Sequence, residues 1–355
     1  MQLPPEVPLL AQLPPDWPAP EALGFGQYLG PYLVECQHRA EGGWGAPCLT
    51  PRAASPLPVA SGATQYGLSV FEGLKAYRDA SDGIHLFRAP EHAQRLQRSA
   101  ERLHLPVPPQ ALILQLCRLA VQVHADYVPP HGRGSLYLRP TLFAEEECLG
   151  LRPAMRHRLS IVVTPCGDPL PKSVRLWAEP ELIRAAPGGL GAAKTGANYA
   201  AGIGGLLRAK ERGYDDVAWL DAATHTQLGE AGTMNLFVQI GDEVFTPPLD
   251  GTILAGITRD CVMTLLAERG IACHERVLTL AALTQAGTEG TLGSAFGTGT
   301  AARIARITAI GDGQREIRFR ETGLIESVHA ALKRAQETPG DGGRAWCDTV
   351  EPMGA

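Results

Sequence analysis

Several features that would class this 355-residue chain at once are missing from it. No apolar run is long enough to cross a bilayer, so a membrane-spanning fold is not expected. The opening stretch MQLPPEVPLLAQLPPDWPAP breaks its apolar residues with proline and has no basic residue ahead of them, so a signal peptide is not expected either. A large excess of one charge is also absent: the formal net charge is −5 and the pI about 6.1. That balance gives no general attraction to nucleic acid or an anionic membrane, and the expected partner is a small molecule. Closely spaced cysteines are lacking as well. Cys36, Cys48, Cys117, Cys148, Cys166, Cys261, Cys273 and Cys347 lie far apart with no CxxC pair. Neither a metal site nor a disulfide scaffold is expected from them, and reduced, packed thiols in a cytoplasmic enzyme are. There is no internal repeat, and the only biased stretches are the proline-rich start and the tail ETPGDGGRAW, expected to wrap the surface.

What is present is enough apolar residue, 45% of the chain, to bury more than one core. The expected division is a small N-terminal domain over residues 1–167, a loop over 168–173 in the proline-rich CGDPLPKS, and a larger domain over 174–355 that carries the lysine discussed below. PEHAQRLQRSAERLHLP sets Ala93, Leu96, Ala100 and Leu103 at helical spacing, and PQALILQLCRLAVQVHADYV reads as a second helix running to Pro129. GSLYLRPTLF, RLSIVVTP, VRLWAE, DDVAWLD, GTMNLFVQI and DEVFTPP read as strands. Further helices are expected at ANYAAGIGGLLRAKERG, ITRDCVMTLLAERG and ETGLIESVHAALKRAQE, which makes the fold class α+β.

One lysine stands out. Lys194 sits in GGLGAAKTGANYAAG among small residues. The segment nearly matches a phosphate loop, but Ala193 replaces the glycine that turns backbone N–H groups toward phosphates, and no acidic strand end follows to hold magnesium. FGTGTAA imitates a dinucleotide fingerprint through Gly297, Gly299 and Ala302, yet no βαβ unit is left after it. The remaining readings are a solvated surface lysine and an imine-forming nucleophile. Few polar neighbours compete for the amine in such surroundings, and desolvation lowers its pKa toward a range where it attacks a carbonyl.

YGLSVFEGLKAYR, SLYLRPTLF, GGLGAAKTGANYAAG, QLGEAGTMNLFV, LAGITRD and FGTGTAA resemble, in order and spacing, the successive motifs of branched-chain amino-acid aminotransferases, pyridoxal-phosphate enzymes of fold type IV. The resemblance runs from about Phe25 to Trp346. It implies a small α/β domain and a larger domain with a mixed, barrel-like sheet. It also implies reversible transamination of leucine, isoleucine and valine with 2-oxoglutarate. Lys194 would hold pyridoxal 5'-phosphate as an imine and then carry the substrate's α-proton. Glu230 would face the pyridine nitrogen, Tyr199 the phenolate oxygen, and Thr233 would lie near the ring. For the phosphate the resemblance implies Arg95, the N–H groups of Ile257 and Thr258, and the Thr298 hydroxyl.

For the substrate it implies an aromatic wall from Tyr66, Phe71 and Tyr137, and an α-carboxylate received at Thr300 and Ala301. Arg139 would read a distal carboxylate. Leu149 and Leu151 would be supplied in trans by the second subunit of a homodimer. The chain departs from relatives in three places: CGDPLPKS lacks an aromatic, Ala302 and Ala305 stand where mammalian relatives carry a CxxC, and FGQYLGPYLVEC leaves its pocket residue unassigned. Other fold type IV activities, a D-amino-acid aminotransferase or an aminodeoxychorismate lyase, are weighed against by FEGLKAYR and LYLRP. A dinucleotide oxidoreductase is the rival from another class.

Overall fold

A computed structural model of the chain describes residues 10–168 and 172–353, which fall into two compact units. The first comprises residues 10–168, the segment Ala193–Gly196 and residues 334–353; the second comprises 172–192 and 197–333.

The first unit is built on a sheet in the order Cys347–Val350, Ile84–Phe87, Leu74–Arg78, Gly134–Ala144, Arg156–Gly167, Tyr32–Arg39 and Gly43–Trp44, with Cys48–Pro51 and Ser69–Phe71 as branches. Its two long strands alternate along their length. Leu138, Leu142, Leu159, Ile161 and Val163 are buried on one face, while Arg139, Thr141, Phe143, Arg158 and Ser160 occupy the other. Three helices precede the longest strand: α1 (Gly62–Tyr66), α2 (Ala89–Arg102) and α3 (Gln110–Val123). Ala93, Leu96, Ala100, Leu116 and Ala120 share a core with the apolar sheet residues. Pro90 and Glu91 in the first turn start α2 as expected. Its end comes earlier than the apolar spacing indicates, because His104 takes a left-handed backbone with φ +52°. Leu103 caps the helix instead of continuing it. Likewise α3 stops at Val123, and Ala125–Tyr127 form a separate 3-10 turn before Pro129.

The second unit carries α4 (Gly196–Glu211), which begins on the last residue of the lysine segment, then α5 (Ile257–Ala267), α6 (Leu280–Thr288) and α7 (Leu324–Glu337), the last of which runs on into the first unit's chain. Its six central strands close on themselves: Met234–Ile240, Leu292–Gly299, Arg303–Gly311, Ser173–Ala178, Asp216–Leu220, Gln227–Ala231 and back to Met234–Ile240. Ser173–Ala178 pairs in parallel with both neighbours, the rest antiparallel, so the barrel is mixed and the ring has no open edge. Leu176, Leu236, Val238, Ala295, Ile307 and Ile310 form its core.

The structure departs from the sequence division in two places. The lysine segment, expected in the C-terminal domain, belongs to the first unit, and so do residues from Arg334 onward. The expected surface tail leads into Cys347–Val350, which pairs with Ile84–Phe87. Both returns depend on hydrogen bonds between distant parts of the chain, which local periodicity does not encode. Residues 169–171 of the expected loop lie outside the described residues. All eight cysteines are free, and no described helix is long and apolar enough to cross a membrane.

Candidate functional site

Lys194 is fastened by its backbone. Its N–H donates to Ser99 Oγ at 2.9 Å, and its carbonyl accepts from the Phe71 N–H at 2.9 Å. Thr195 bridges Val70 and donates through Oγ1 to the Ser69 carbonyl at 2.8 Å. The amine lies 5.0 Å from the centre of the Phe71 ring, a cation–π approach.

The same ring meets a second cation. Arg139 Cζ is 4.7 Å from the Phe71 centroid and 5.2 Å from that of Tyr137, and its Nη2 donates to the Tyr137 hydroxyl at 3.0 Å. Gly73 makes room for that hydroxyl, since a Cβ there would stand 1.7 Å from it. Arg139 Nε is buried without a partner, and among the described residues Arg139 makes no ion pair. The structure thus brings Lys194, Phe71, Tyr137 and Arg139 together. It adds Phe25, whose ring stands edge-on to Tyr137 at 5.0 Å and which the sequence reading left unassigned. No local pattern singles out Phe25; only its contact does. Tyr66 donates its hydroxyl to the Leu149 carbonyl, but Leu149 and Leu151 turn their side chains outward, 66% and 76% exposed.

Arg95 is buried on α2 and paired with Glu72, a residue inside the FEG motif to which the sequence reading gave no role. Burial pushes the Glu72 carboxyl up, but the Arg95 charge and the His92 contact outweigh it and hold it well below the usual carboxylate range. Burial lowers His92 against the pull of the Glu72 carboxylate, to which its Nδ1 donates.

In the second unit, Glu230 points from Gln227–Ala231 and is 5% exposed. Its carboxylate is ion-paired with Arg184 and accepts from Asn235 Nδ2 at 3.4 Å on the adjoining strand. Arg184 is itself held by the Thr252 carbonyl at 2.5 Å, and Asn235 by the Leu254 carbonyl at 2.9 Å. Arg184 was not foreseen: it lies in an irregular segment with no helical or strand pattern to mark its direction. Beside Asn235 on the next strand is Thr298, whose buried hydroxyl has no partner. Helix α5 begins at Ile257 and Thr258, both buried, after Gly256, where a Cβ would stand 1.9 Å from Asn235 Oδ1. An orphaned hydroxyl and the free N–H groups of a helix start fit a phosphate, as the cofactor implied by the resemblance requires.

Tyr199 is half-buried in the first turns of α4. Thr233 is exposed in the hairpin turn after Gly232 (φ +59°), and Thr300 and Ala301 form the turn joining Leu292–Gly299 to Arg303–Gly311.

Thr298→Val is therefore expected to move stability and binding in opposite directions. Removing an unsatisfied buried hydroxyl should leave the cofactor-free protein as stable or about 1 kcal/mol more stable, while phosphate-dependent affinity falls several-fold. Thermal unfolding and a cofactor titration check this; parallel losses in both would mean that the hydroxyl serves the fold.

Residues 69–310 match the family model described as amino-transferase class IV. The chain is 38% identical to branched-chain-amino-acid transaminase 1 of Bacillus subtilis (strain 168) over 310 residues, 84% of this chain and 87% of that protein. It is 37% identical to the branched-chain-amino-acid aminotransferase of Mycobacterium tuberculosis (strain CDC 1551 / Oshkosh) over 318 residues, 87% and 86% of the two chains. Among solved structures, the branched-chain amino-acid aminotransferase of Escherichia coli superposes with a TM-score of 0.72 at 26% identity, covering 90% of this chain and 99% of that one. The enzyme from Thermoproteus uzoniensis, with norvaline, shares the fold with a TM-score of 0.76 at 24% identity, covering 90% and 100%.

Proposed function

The chain belongs to the class IV aminotransferases, and from that premise we propose its function as a branched-chain-amino-acid transaminase using pyridoxal 5'-phosphate. It moves the amino group of L-leucine, L-isoleucine and L-valine reversibly to 2-oxoglutarate, giving branched-chain 2-oxo acids and L-glutamate. The observation that carries the reading is the family match across residues 69–310, with Lys194 inside it.

When bound, the cofactor supplies an aldehyde that condenses with amines and a ring that accepts electron density. In our reading Lys194 Nζ would be the amine that holds the cofactor through its aldehyde carbon, with loss of water, and the base for the substrate's α-proton. Glu230, ion-paired with Arg184, would hold a proton at the ring nitrogen. Tyr199 would donate to the phenolate oxygen, and Thr233 would lie near the ring. For the phosphate the reading assigns Arg95, the N–H groups of Ile257 and Thr258, and the Thr298 hydroxyl as the groups that would hold it. Tyr66, Phe71 and Tyr137 exclude water around the aliphatic side chain, and the Thr300–Ala301 turn receives the α-carboxylate. A homodimer is part of the reading, with Leu149 and Leu151 as walls given to the partner's pocket; their exposure as large apolar side chains supports it. Eight free cysteines support a cytoplasmic location, and the same reading includes a role in branched-chain amino-acid biosynthesis.

The test is direct. Purified protein should be yellow, lose that absorption with borohydride, shift its spectrum with leucine or isoleucine, and form glutamate from 2-oxoglutarate. No spectral response to any of the three branched-chain substrates would overturn the reading.

Arg139 serves the second substrate. One pocket must accept a leucine side chain and then the distal carboxylate of glutamate, and a guanidinium with an unpartnered buried Nε can meet the carboxylate while an aliphatic chain stops short of it. Arg139→Met is expected to weaken the glutamate half-reaction by roughly 2 kcal/mol or more and the leucine half-reaction much less. Each half-reaction is followed separately by cofactor absorbance. Equal losses would assign Arg139 to holding Phe71 and Tyr137.

A further inference from the structure

A cation meant for a phosphate should not be neutralised by its own protein without a return. Yet Arg95 donates through Nε and Nη2 to the two oxygens of Glu72, at 2.6 and 2.9 Å. Glu72 is 1% exposed, and nothing about its carboxylate is loose. Oε2 also accepts from His92 Nδ1 at 2.7 Å and from the Gly73 N–H at 3.0 Å. The Glu72 backbone N–H donates to the Pro140 carbonyl at 2.8 Å. Helix α2 sets His92, Arg95 and Ser99 on one face, and Ser99 is the residue that holds the Lys194 N–H. Phe71, next to Glu72, holds the Lys194 carbonyl.

We propose that Glu72 is a positioning residue for the phosphate grip: its fully committed carboxylate clamps the Nε–Nη2 edge of Arg95 and so fixes the plane in which the guanidinium meets a phosphate. The inference rests on the reading of Arg95 as a phosphate ligand. A guanidinium is planar, so holding one edge at two points sets the direction of every other N–H. His92 and Gly73 occupy the carboxylate oxygen that would otherwise let Glu72 swing. Two neighbouring residues, Phe71 and Glu72, thereby fix the lysine backbone and the phosphate arginine from one short stretch of chain.

The clamp and a simple charge effect predict opposite signs. Removing a negative charge beside the site should tighten phosphate binding by Coulomb's law alone. Removing a clamp should weaken it. In Glu72→Gln the amide NH2 faces other donors, so the two-point hold is lost while volume is kept. Retention of pyridoxal 5'-phosphate by the full-length holoenzyme, read as occupancy after dialysis against graded cofactor, should weaken roughly tenfold, in line with other outer partners of a binding group. Affinity for pyridoxal, which lacks the phosphate, should not change. Combined with Arg95→Gln, the Glu72→Gln effect should vanish, since it acts through Arg95.

Unchanged or tighter binding of the phosphate form in Glu72→Gln overturns the proposal, as does an equal loss for pyridoxal. If Arg95→Gln itself fails to separate the two ligands, the phosphate reading of Arg95 falls first. Should Glu72→Gln not fold, Glu72→Asp keeps the charge and shortens the reach by one methylene. It should lose the phosphate form selectively, and full retention there would equally overturn the clamp.

Discussion

Replacing Lys194 with alanine is expected to end transamination in a protein that still folds. The backbone at 194 is held by Ser99 and Phe71 through main-chain atoms, so alanine keeps both hydrogen bonds. What goes is the amine and its approach to the Phe71 ring, a contact worth about 0.5–1 kcal/mol where partly exposed. The chemical loss is far larger. A positioned general base contributes on the order of 10²–10⁴-fold, and covalent attachment of the cofactor disappears with it. Cofactor should remain only noncovalently bound, so borohydride should leave no adduct at residue 194 by mass spectrometry. Steady-state turnover at the parent rate would remove Lys194 from the mechanism.

Glu230→Gln is expected to give the second-largest loss, with a cost to the fold that the sequence alone did not indicate. A neutral amide cannot hold the ring nitrogen's proton, and removing a preorganised charge from a water-poor site costs on the order of 10²–10³-fold in the chemical step. Arg184 also loses its ion-pair partner while keeping its bond to the Thr252 carbonyl. Leaving that mostly buried guanidinium short of one acceptor should cost about 1–3 kcal/mol of stability. Single-turnover rates with leucine and unfolding of the cofactor-free protein measure the two effects separately. An unchanged single-turnover rate would show that Glu230 does not face the ring.

Much of the candidate site is nominated by short motifs alone, because they carry residue types that the proposed chemistry demands at fixed short spacing. Lys194 among small residues, Glu230 in QLGEAGTMN and the glycine-flanked Thr298 are of this kind. Phe25, Glu72 and Arg184 are not. Each meets a partner elsewhere in the chain: Tyr137 for Phe25, Arg95 for Glu72, Glu230 for Arg184. Element ends were also hidden where a single backbone angle decided them, as His104 does for α2. The strands Leu292–Gly299 and Arg303–Gly311 were missed because glycines and small residues blur their alternation, and pairing with neighbouring strands supplies what local preference lacks.

By itself the sequence determined the fold class, the family and the two amphipathic helices of the first unit, and it nominated Lys194, since these depend on periodicity and on motifs a few residues long. Tertiary structure decided where that lysine is held, for Ala193–Gly196 joins the first unit through bonds to Ser69, Phe71 and Ser99. It also decided that Cys347–Val350 extends that unit's sheet, and that Arg95 and Glu230 each lie beside an oppositely charged neighbour. The physical reason is the same in each case. A backbone hydrogen bond or a buried ion pair has two ends, and when those ends are tens to hundreds of residues apart, only packing brings them together.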